Sequence, residues 1–186
     1  MTLLPAGETT REKNALRHVM GRFATGVVLV TTATATGPSG MTVNSFTSVS
    51  LDPPLVLICV DLTSQTLPAL RASGHFAVNV LAGEQEPLAR CFATRSAERY
   101  AHFCSASYRV GATGSPVLDG ALAFLEARIV AEFPGGDHAI LLGQVVAMGT
   151  NDGEESAPDK GRSLAPGEAQ EPSALVFYHS RYCRLT

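Results

Sequence analysis

The chain has 186 residues, of which 45% are hydrophobic and 17% charged, and this length and composition predict a single domain with a substantial core. The formal net charge is −3 and the Lys and Arg residues are dispersed, which argues against nucleic acid or an anionic membrane surface as a partner. Small molecules are the expected ligands.

The first half of the chain is predicted to change from helical to extended structure. Residues 9 to 23 carry apolar side chains at spacings of three and four, which predicts a helix. Residues 27 to 50 are β-branched or alternating around the turn signal GPSG, and they predict a hairpin. Pro53 and Pro54 end its ladder, and the apolar run LVLICV at 55 to 60 predicts a strand buried on both faces.

Strands also dominate the second half. Helices are predicted at 66 to 72 and 84 to 92, on either side of a strand, HFAVNVL. ALAFLEARIVAEF and HAILLGQVVAMGT, joined by PGGD, predict a long hairpin, and ALVFYHSRY predicts a last strand. Residues 151 to 172 are rich in Gly, Pro and Glu and predict a flexible loop within the domain. Short turns join most strands, so the predicted fold is mainly β with a few helices, in a closed or nearly closed antiparallel barrel.

Several kinds of site are not expected. Cys59, Cys91, Cys104 and Cys183 form no Cys-x-x-Cys pair, which predicts reduced thiols in a cytoplasmic protein and neither a disulfide framework nor a zinc site. The motifs of serine hydrolases, Walker-type nucleotide sites and dinucleotide folds do not occur, and no histidine pair has metal-ligand spacing. No apolar run is long enough to span a bilayer, so no membrane segment is expected.

An uncharged hydroxyl segment carries the main functional signal. The strand-like MTVNSFTSVS presents Thr42, Asn44, Ser45, Ser48 and Ser50. This pattern suits a large planar heterocycle with many neutral acceptors and one phosphate, which describes a flavin. An amphipathic strand whose hydroxyls face water fits the pattern alone equally well.

A second hydroxyl cluster favours the flavin hypothesis. DLTSQT places Ser64 and Thr66 at the start of a predicted helix, where free backbone amides and the positive end of the dipole favour a phosphate. His138 follows a glycine-rich turn, at which backbone can approach a ligand closely.

Eight motifs occur here in the order in which the flavin reductase family has them. They are FATGVVLVTT, GMTVNSFTSVSLDPPLVLICV, the Ser-x-Thr after it, FAVNVL, LARCFA, GSPVL, GDHAILLGQV and FYHSRY. The resemblance runs from about Leu16 to Leu185 and is strongest to the small reductase components of two-component flavin monooxygenases. It implies one flavin reductase-like domain over residues 1 to 186, with an antiparallel split β-barrel fold.

The resemblance also implies the activity. The protein would use NAD(P)H to reduce FAD or FMN, and the reduced flavin would diffuse to a partner flavin-dependent monooxygenase. NADH is favoured over NADPH because no Arg pair is evident for a 2′-phosphate. A homodimer with the flavin site at or near its interface is implied as well.

The family's site residues carry over to positions along the whole chain. The flavin ring would lie along Thr42, Val43, Asn44 and Ser45, and the ribityl chain would follow Ser48, Val49 and Ser50. Cys59, Val60 and Asp61 would lie alongside. The phosphate would be bound by Ser64 and Thr66, with Phe92 and Ala93 near the phosphate or the adenosine. His138 would orient the nicotinamide, with closure of its own turn as the alternative. Arg181 matches a basic C-terminal position without an assigned contact.

Two other functions remain open. One is a pyridoxamine-phosphate-oxidase-like flavoprotein that keeps its flavin, although its anionic substrate would call for Arg and Lys residues that the hydroxyl segment lacks. The other is a non-catalytic flavin-binding sensor, which would bind flavin without oxidising NADH.

Overall fold

Strands dominate residues 10–150 and 173–184, which are the residues that this computed structural model describes. The predicted loop at 151 to 172 lies outside them. The helices are α1 (Thr10–Met20), α2 (Thr66–Ser73), α3 (Glu86–Ala93) and α4 (Ala97–His102). The strands are β1 (Thr25–Gly26), β2 (Val28–Thr34), β3 (Gly37–Val43), β4 (Thr47–Leu51), β5 (Pro54–Asp61), β6 (His75–Val80), β7 (Tyr108–Val110), β8 (Pro116–Leu118), β9 (Ala123–Gly135), β10 (His138–Thr150), β11 (Leu175–Tyr178) and β12 (Arg181–Arg184). None of the described helices has the length and apolarity to cross a membrane.

Seven strands form one antiparallel sheet in the order β3-β2-β6-β9-β10-β5-β4. β3 and β4 occupy opposite edges, yet only residues 44–46 separate them along the chain. Extended chain advances at most about 3.6 Å per residue, so the two edges lie within about 15 Å of each other and the sheet must curl. Among the described strands β3 and β4 do not pair, which leaves an open seam between them. The predicted mainly β, antiparallel fold is confirmed, with this seam in place of full closure.

β2 is buried on both faces and separates two apolar clusters. Val28 and Val30 belong to a cluster inside the curled sheet, which α2 closes with Leu67 and Leu70. Leu29, between them, belongs to the second cluster, beneath α3 and the turn after α4. Because side chains alternate along β2, its other face holds α3 and the turn after α4 against the outer side of β2 and β3. There they form one wall of the cleft described below.

The long hairpin and the central helices match the sequence predictions. β9 and β10 have 13 residues each and meet at a turn in which Gly136 has a φ of 72°. α2 agrees with the predicted helix at 66 to 72. The helix predicted at 84 to 92 consists of a 3-10 turn at Gly83–Gln85 followed by α3. α1 ends at Met20, before the end predicted at residue 23.

The first hairpin turns earlier than predicted. β2 pairs with β3 from Val28↔Val43 to Thr34↔Gly37, so residues 35 and 36 form the turn and GPSG belongs to β3. Pro38 is tolerated there because β3 is an edge strand, one side of which has no ladder to complete. The predicted strand through residue 50 is also two strands, since the chain leaves β3 and joins the opposite edge as β4.

Two further strand predictions are wrong. Val56, Ile58 and Val60 of β5 are buried, but Leu55, Leu57 and Cys59 are half-exposed, so this strand is fully buried on one face and not on both. The predicted last strand is a hairpin of β11 and β12. Its turn residues, at 179 and 180, have φ values of 52° and 58° without a glycine, so the sequence carries no turn signal.

Cys91 and Cys104 form a disulfide, which contradicts the prediction of four reduced thiols. They are 13 residues apart in a spacing that matches no motif, and their Cα atoms come within 6.1 Å only because α3 packs beside the turn that follows α4. Cys59 and Cys183 are free.

Candidate functional site

A cleft lies beside the seam, between β3 and the segments that carry α2, α3 and α4. It has two ends that meet at Thr42 and Ala93, both of which line each end. We call one the aromatic end, lined by Val43, Asn44, Phe177 and Tyr182 among others. We call the other the basic end, lined by Asp61, Ser64, Arg95 and Arg99 among others. The structure thus brings residues from five separate parts of the chain into one cleft.

The aromatic end combines the end of β3 with the C-terminal hairpin. The rings of Phe177 and Tyr182 meet edge to face, with 5.4 Å between their centroids. The Arg90 guanidinium lies 4.8 Å from the Tyr182 centroid, and burial raises the pKa of the Tyr182 phenol. Asn44 is exposed and carries no charge. A planar, uncharged group fits this chemistry.

Ser45 holds the chain at the seam. Its hydroxyl donates to the Cys59 carbonyl at 2.9 Å and accepts from the Cys59 amide at 3.2 Å, so one side chain stands in for a ladder partner of β5. The Thr42 hydroxyl is similarly used, because it donates to the Ala89 carbonyl at 2.7 Å. The Ser45 hydroxyl proton is therefore not free for a ligand, which agrees with the mostly backbone contacts that the family resemblance implies.

The start of α2 differs from the prediction of free amides. The amides of Thr63, Ser64, Thr66 and Leu67 each donate within the same turn, to Asp61 or Ser64. Positive charge at this end comes instead from two arginines that the sequence reasoning missed. Arg95 precedes α4 and Arg99 lies in its first turn. Their position is revealed only by long-range hydrogen bonds, from Arg99 to Gly40 and Thr66 and from Arg95 to Thr63.

Arg99 is a buried cation at the base of the basic end. Its side chain donates to the Gly40 carbonyl and to the Thr66 hydroxyl, each at 3.0 Å, and burial lowers the pKa of its guanidinium. Arg95 is exposed and donates to the Thr63 hydroxyl at 2.9 Å. Arg95 therefore faces the open part of the cleft, whereas Arg99 supports it from below.

Asp61 contributes the one carboxylate that lines the basic end as the described residues form it. The Thr63 hydroxyl and the Thr63 amide both donate to Asp61 Oδ1 at 2.7 Å, and these hydrogen bonds lower the pKa of the Asp61 carboxyl. Since Arg95 binds the same Thr63 side chain, the three residues form a chain of polar contacts at the rim.

Thr66 lies behind the basic end and not in its wall. Its side chain is fully buried, donating to the Gly40 carbonyl at 3.3 Å and accepting from Arg99. The direct phosphate contact expected for the Thr66 hydroxyl therefore has no open path, because that hydroxyl is enclosed and engaged. Ser64 does line the cleft, and its hydroxyl approaches the Met41 sulfur at 3.7 Å.

The other predicted residues divide into two groups. Phe92 and Ala93 line the cleft, although Phe92 is otherwise fully buried beneath it. The remaining ones do not line either end as the described residues form it: Ser48, Val49 and Ser50 on β4, Cys59 and Val60 on β5, and Arg181 on β12.

His138 lies next to the cleft without lining it. In the register of β5 and β10 it is the partner of Asp61, but its side chain lines a neighbouring cavity with Leu62 and Phe133. Its Nδ1 is 2.7 Å from Asp137 Oδ1, and the hydrogen bond from His138 lowers the pKa of the Asp137 carboxyl. The imidazole is thus oriented by its own turn.

Comparison with known proteins gives the family. The model of the flavin reductase-like domain matches residues 20–186. The chain belongs to this family. The flavin reductase-like domain is 42% identical over 151 residues to FMN reductase (NADH) SmoA of Agrobacterium fabrum, covering 81% of this chain and 83% of that protein. It is 32% identical over 171 residues to the flavin-dependent monooxygenase reductase subunit HsaB of Mycobacterium tuberculosis, covering 92% and 81%.

A solved structure supports the same fold. The NADH:FAD oxidoreductase SgcE6 of Streptomyces globisporus, in complex with NAD and FAD fragments, superposes with a TM-score of 0.78 at 36% identity, over 96% of this flavin reductase-like domain and 95% of that chain. The family named from the sequence motifs is therefore confirmed.

The enclosed position of Thr66 predicts a larger stability defect on substitution than the position of Ser64 does. Thr66→Val keeps the shape but removes one of the two acceptors of the buried Arg99 and one donor to the Gly40 carbonyl, so the free energy of unfolding should fall by about 1–3 kcal/mol. Ser64→Ala, at the half-buried start of the same turn, removes only the acceptor of the Thr66 amide and should lower it by less, by at most about 1 kcal/mol. Urea unfolding of both variants measures this, and equal stabilities would contradict the buried role.

Proposed function

We propose that this flavin reductase-like domain is an NADH-dependent flavin reductase, which reduces FAD or FMN and releases the reduced flavin to a separate monooxygenase. The observation that carries the proposal is that an uncharged aromatic end and a basic end adjoin, with Thr42 and Ala93 lining both. A flavin nucleotide has the same order of parts, a planar ring followed by a phosphate. The relatives named as NADH-dependent reductases and as a monooxygenase reductase subunit support it further.

The donor set of the cleft fits a flavin nucleotide. The ring would lie along residues 42 to 45, where the hydroxyls of Thr42 and Ser45 are engaged and backbone groups and the Asn44 amide remain for neutral ring acceptors. The phosphate would lie between Ser64 and Arg95, with Arg99 adding positive potential from below. A charge-assisted hydrogen bond to a phosphate oxygen is about twice as strong as a neutral one, so Arg95 is expected to dominate this contact.

Hydride transfer from the nicotinamide C4 to the flavin N5 is chemistry that the two bound nucleotides supply. The protein's task is to hold the rings in contact and to stabilise negative charge on the reduced ring. Backbone dipoles near Asn44 would serve that second task.

We assign His138 to the nicotinamide side. Because Nδ1 donates to Asp137, the Nε2 of a neutral imidazole is an acceptor that can bind the carboxamide N–H of the nicotinamide. The pairing of His138 with Asp61 supports this position next to the cleft. No acid or base is needed for a hydride step, so the role is one of orientation.

A homodimer is the proposed assembly. The outer face of the sheet carries Leu57, Ile140 and Leu142 in adjacent strands, all half-buried, and Phe133 beside them is 51% exposed. β5 has the apolar composition of a strand covered on both faces, and a second copy would supply the missing cover. His138 and Asp61 lie on this same face, which would bring the flavin site close to the interface.

Dependence on NADH, an intracellular reductant, supports a cytoplasmic location.

The two alternative functions make different demands. A pyridoxamine-phosphate-oxidase-like enzyme needs cations for its anionic substrate, and Arg95 and Arg99 could serve it, so absent basic residues no longer argue against it. The family match favours the reductase. A sensor would bind flavin in the same cleft without turnover.

Purified protein mixed with NADH and FAD or FMN tests the function directly. NADH absorbance should decrease only when flavin is added, and repeating the assay with NADPH and with each flavin gives the preferences. Flavin binding without NADH oxidation would instead identify a sensor, and a flavin retained through gel filtration with amine-dependent turnover would identify the oxidase.

His138→Ala should lower kcat/KM for NADH by roughly tenfold or more, about 1.4 kcal/mol of transition-state stabilisation, while the flavin Kd stays nearly unchanged. His18→Ala, an exposed histidine on α1, is the control and should keep wild-type kinetics. Tm is measured on the same preparations. A lowered Tm with intact NADH kinetics would mean that His138 serves only its own turn.

Light scattering at micromolar concentration should give the mass of a dimer. Leu142→Arg places a charge in the middle of the outer sheet face and should shift the mass to that of a monomer, because an unpaired charge is costly in an apolar interface. Thr36→Arg, in the exposed β2–β3 turn, should leave the dimer intact. A monomeric wild type, or a Leu142→Arg dimer with a native circular dichroism spectrum, would refute this interface.

A further inference from the structure

The Cys91–Cys104 disulfide closes the segment that forms much of the basic end. Five residues that line this end lie between the two cysteines: Phe92, Ala93, Arg95, Arg99 and Tyr100. We propose that this pair is a thiol–disulfide exchange site for a dithiol, and that its redox state sets the affinity of the cleft for phosphorylated flavins. The inference rests on the proposed function, since it concerns the phosphate end of the same site.

Cys104 lies in a backbone conformation that needs an anchor. Phe103, Cys104 and Ser105 have φ values of 49°, 52° and 51°, and residues with a Cβ rarely adopt this left-handed region in succession. Noncovalent contacts also hold the turn: the Phe103 ring packs edge to face against Phe92 at 4.9 Å and against Tyr108 at 5.2 Å, and the Ser105 hydroxyl donates to Glu98 at 3.0 Å. The disulfide is the covalent one, and its loss leaves this turn free to relax.

The same segment reaches the floor of the cleft through Arg99. Its hydrogen bonds to the Gly40 carbonyl and the Thr66 hydroxyl depend on where α4 sits, and α4 leads directly into the anchored turn. Arg95, before α4, depends on it in the same way for its contact with Thr63. Opening the disulfide restores conformational freedom to the whole segment, so both arginines lose their fixed position at the phosphate end.

The aromatic end has its own supports. The end of β3 is held by β2, and Phe177 and Tyr182 belong to the C-terminal hairpin. Of the described residues that line this end, only Ala93, which both ends share, lies between the two cysteines. Opening the disulfide should therefore weaken binding of the flavin phosphate and leave binding of the ring largely intact.

Both cysteines are half-buried, and the exchange requires that a reductant reach one of the two sulfur atoms. A thiolate of an external dithiol attacks one sulfur, the S–S bond breaks, and the other sulfur leaves as a thiolate. The second thiol of the reagent then resolves the mixed disulfide, so the protein gains two electrons and ends with two thiols while the dithiol becomes a disulfide. Hydrogen peroxide reverses the change, since two thiols and one peroxide give a disulfide and two water molecules.

Binding of FMN and of riboflavin, which lacks the phosphate, tests the inference in the full-length protein. Kd values are measured by flavin fluorescence for the oxidised protein, for protein reduced with dithiothreitol, and after reoxidation with peroxide. Reduction should expose two further thiols, raise the FMN Kd at least fivefold, and leave the riboflavin Kd within twofold. Reoxidation should restore the first value. Cys91→Ser should resemble the reduced protein, whereas Cys183→Ser should respond as wild type does.

Several results would overturn it. An unchanged FMN Kd after two thiols appear would mean that the disulfide does not control the site. Equal weakening of FMN and riboflavin would mean general loosening, and no new thiols would mean that the pair does not exchange. A flavin reductase with any of these results keeps its proposed function. Absence of NADH oxidation in both redox states refutes that function, and this outcome is distinguishable because flavin binding is measured without NADH.

Discussion

The short connection between β3 and β4 is the constraint on which the site depends. These strands are the two edges of a seven-stranded sheet, and three residues join them, so the sheet has to curl until its edges adjoin. The edges do not pair, and the Ser45 hydroxyl instead makes two hydrogen bonds to the Cys59 backbone across the gap. The seam leaves backbone groups next to an apolar interior, which is where a neutral heterocycle can be bound by donors and acceptors without charge.

Charge is separated along the cleft for a physical reason. The amides at the start of α2 are used within their own turn, so the helix offers its dipole but few free donors. Positive charge comes instead from Arg95 and Arg99. Arg99 can be buried as a cation because two oxygen atoms, on Gly40 and Thr66, accept hydrogen bonds from it. The buried residues Arg99 and Thr66 therefore have a structural role at the basic end. They support the more accessible residues, Ser64 and Arg95.

The sequence predicted what local pattern determines and missed what long-range packing determines. The β9–β10 hairpin, α2 and the family motifs were all readable, because alternation, turn residues and motif order are local. The early turn at residues 35 and 36 was missed because GPSG is a strong turn signal that an edge strand overrides. The disulfide, Arg95 and Arg99 were missed because α4 had to be packed before their neighbours could be known, and Thr66 was assigned to a phosphate because burial of a hydroxyl leaves no mark in sequence.

The lack of a single catalytic motif follows from the chemistry proposed. When two bound nucleotides exchange a hydride, the protein needs to supply surfaces, dipoles and charge at separated points, and no nucleophile or base has to be built at a fixed spacing. Those points can come from distant segments, as they do here from β3, α2, α4 and the C-terminal hairpin. The functional signal is then spread thinly over the chain, and the order of many weak motifs is more informative than any one of them.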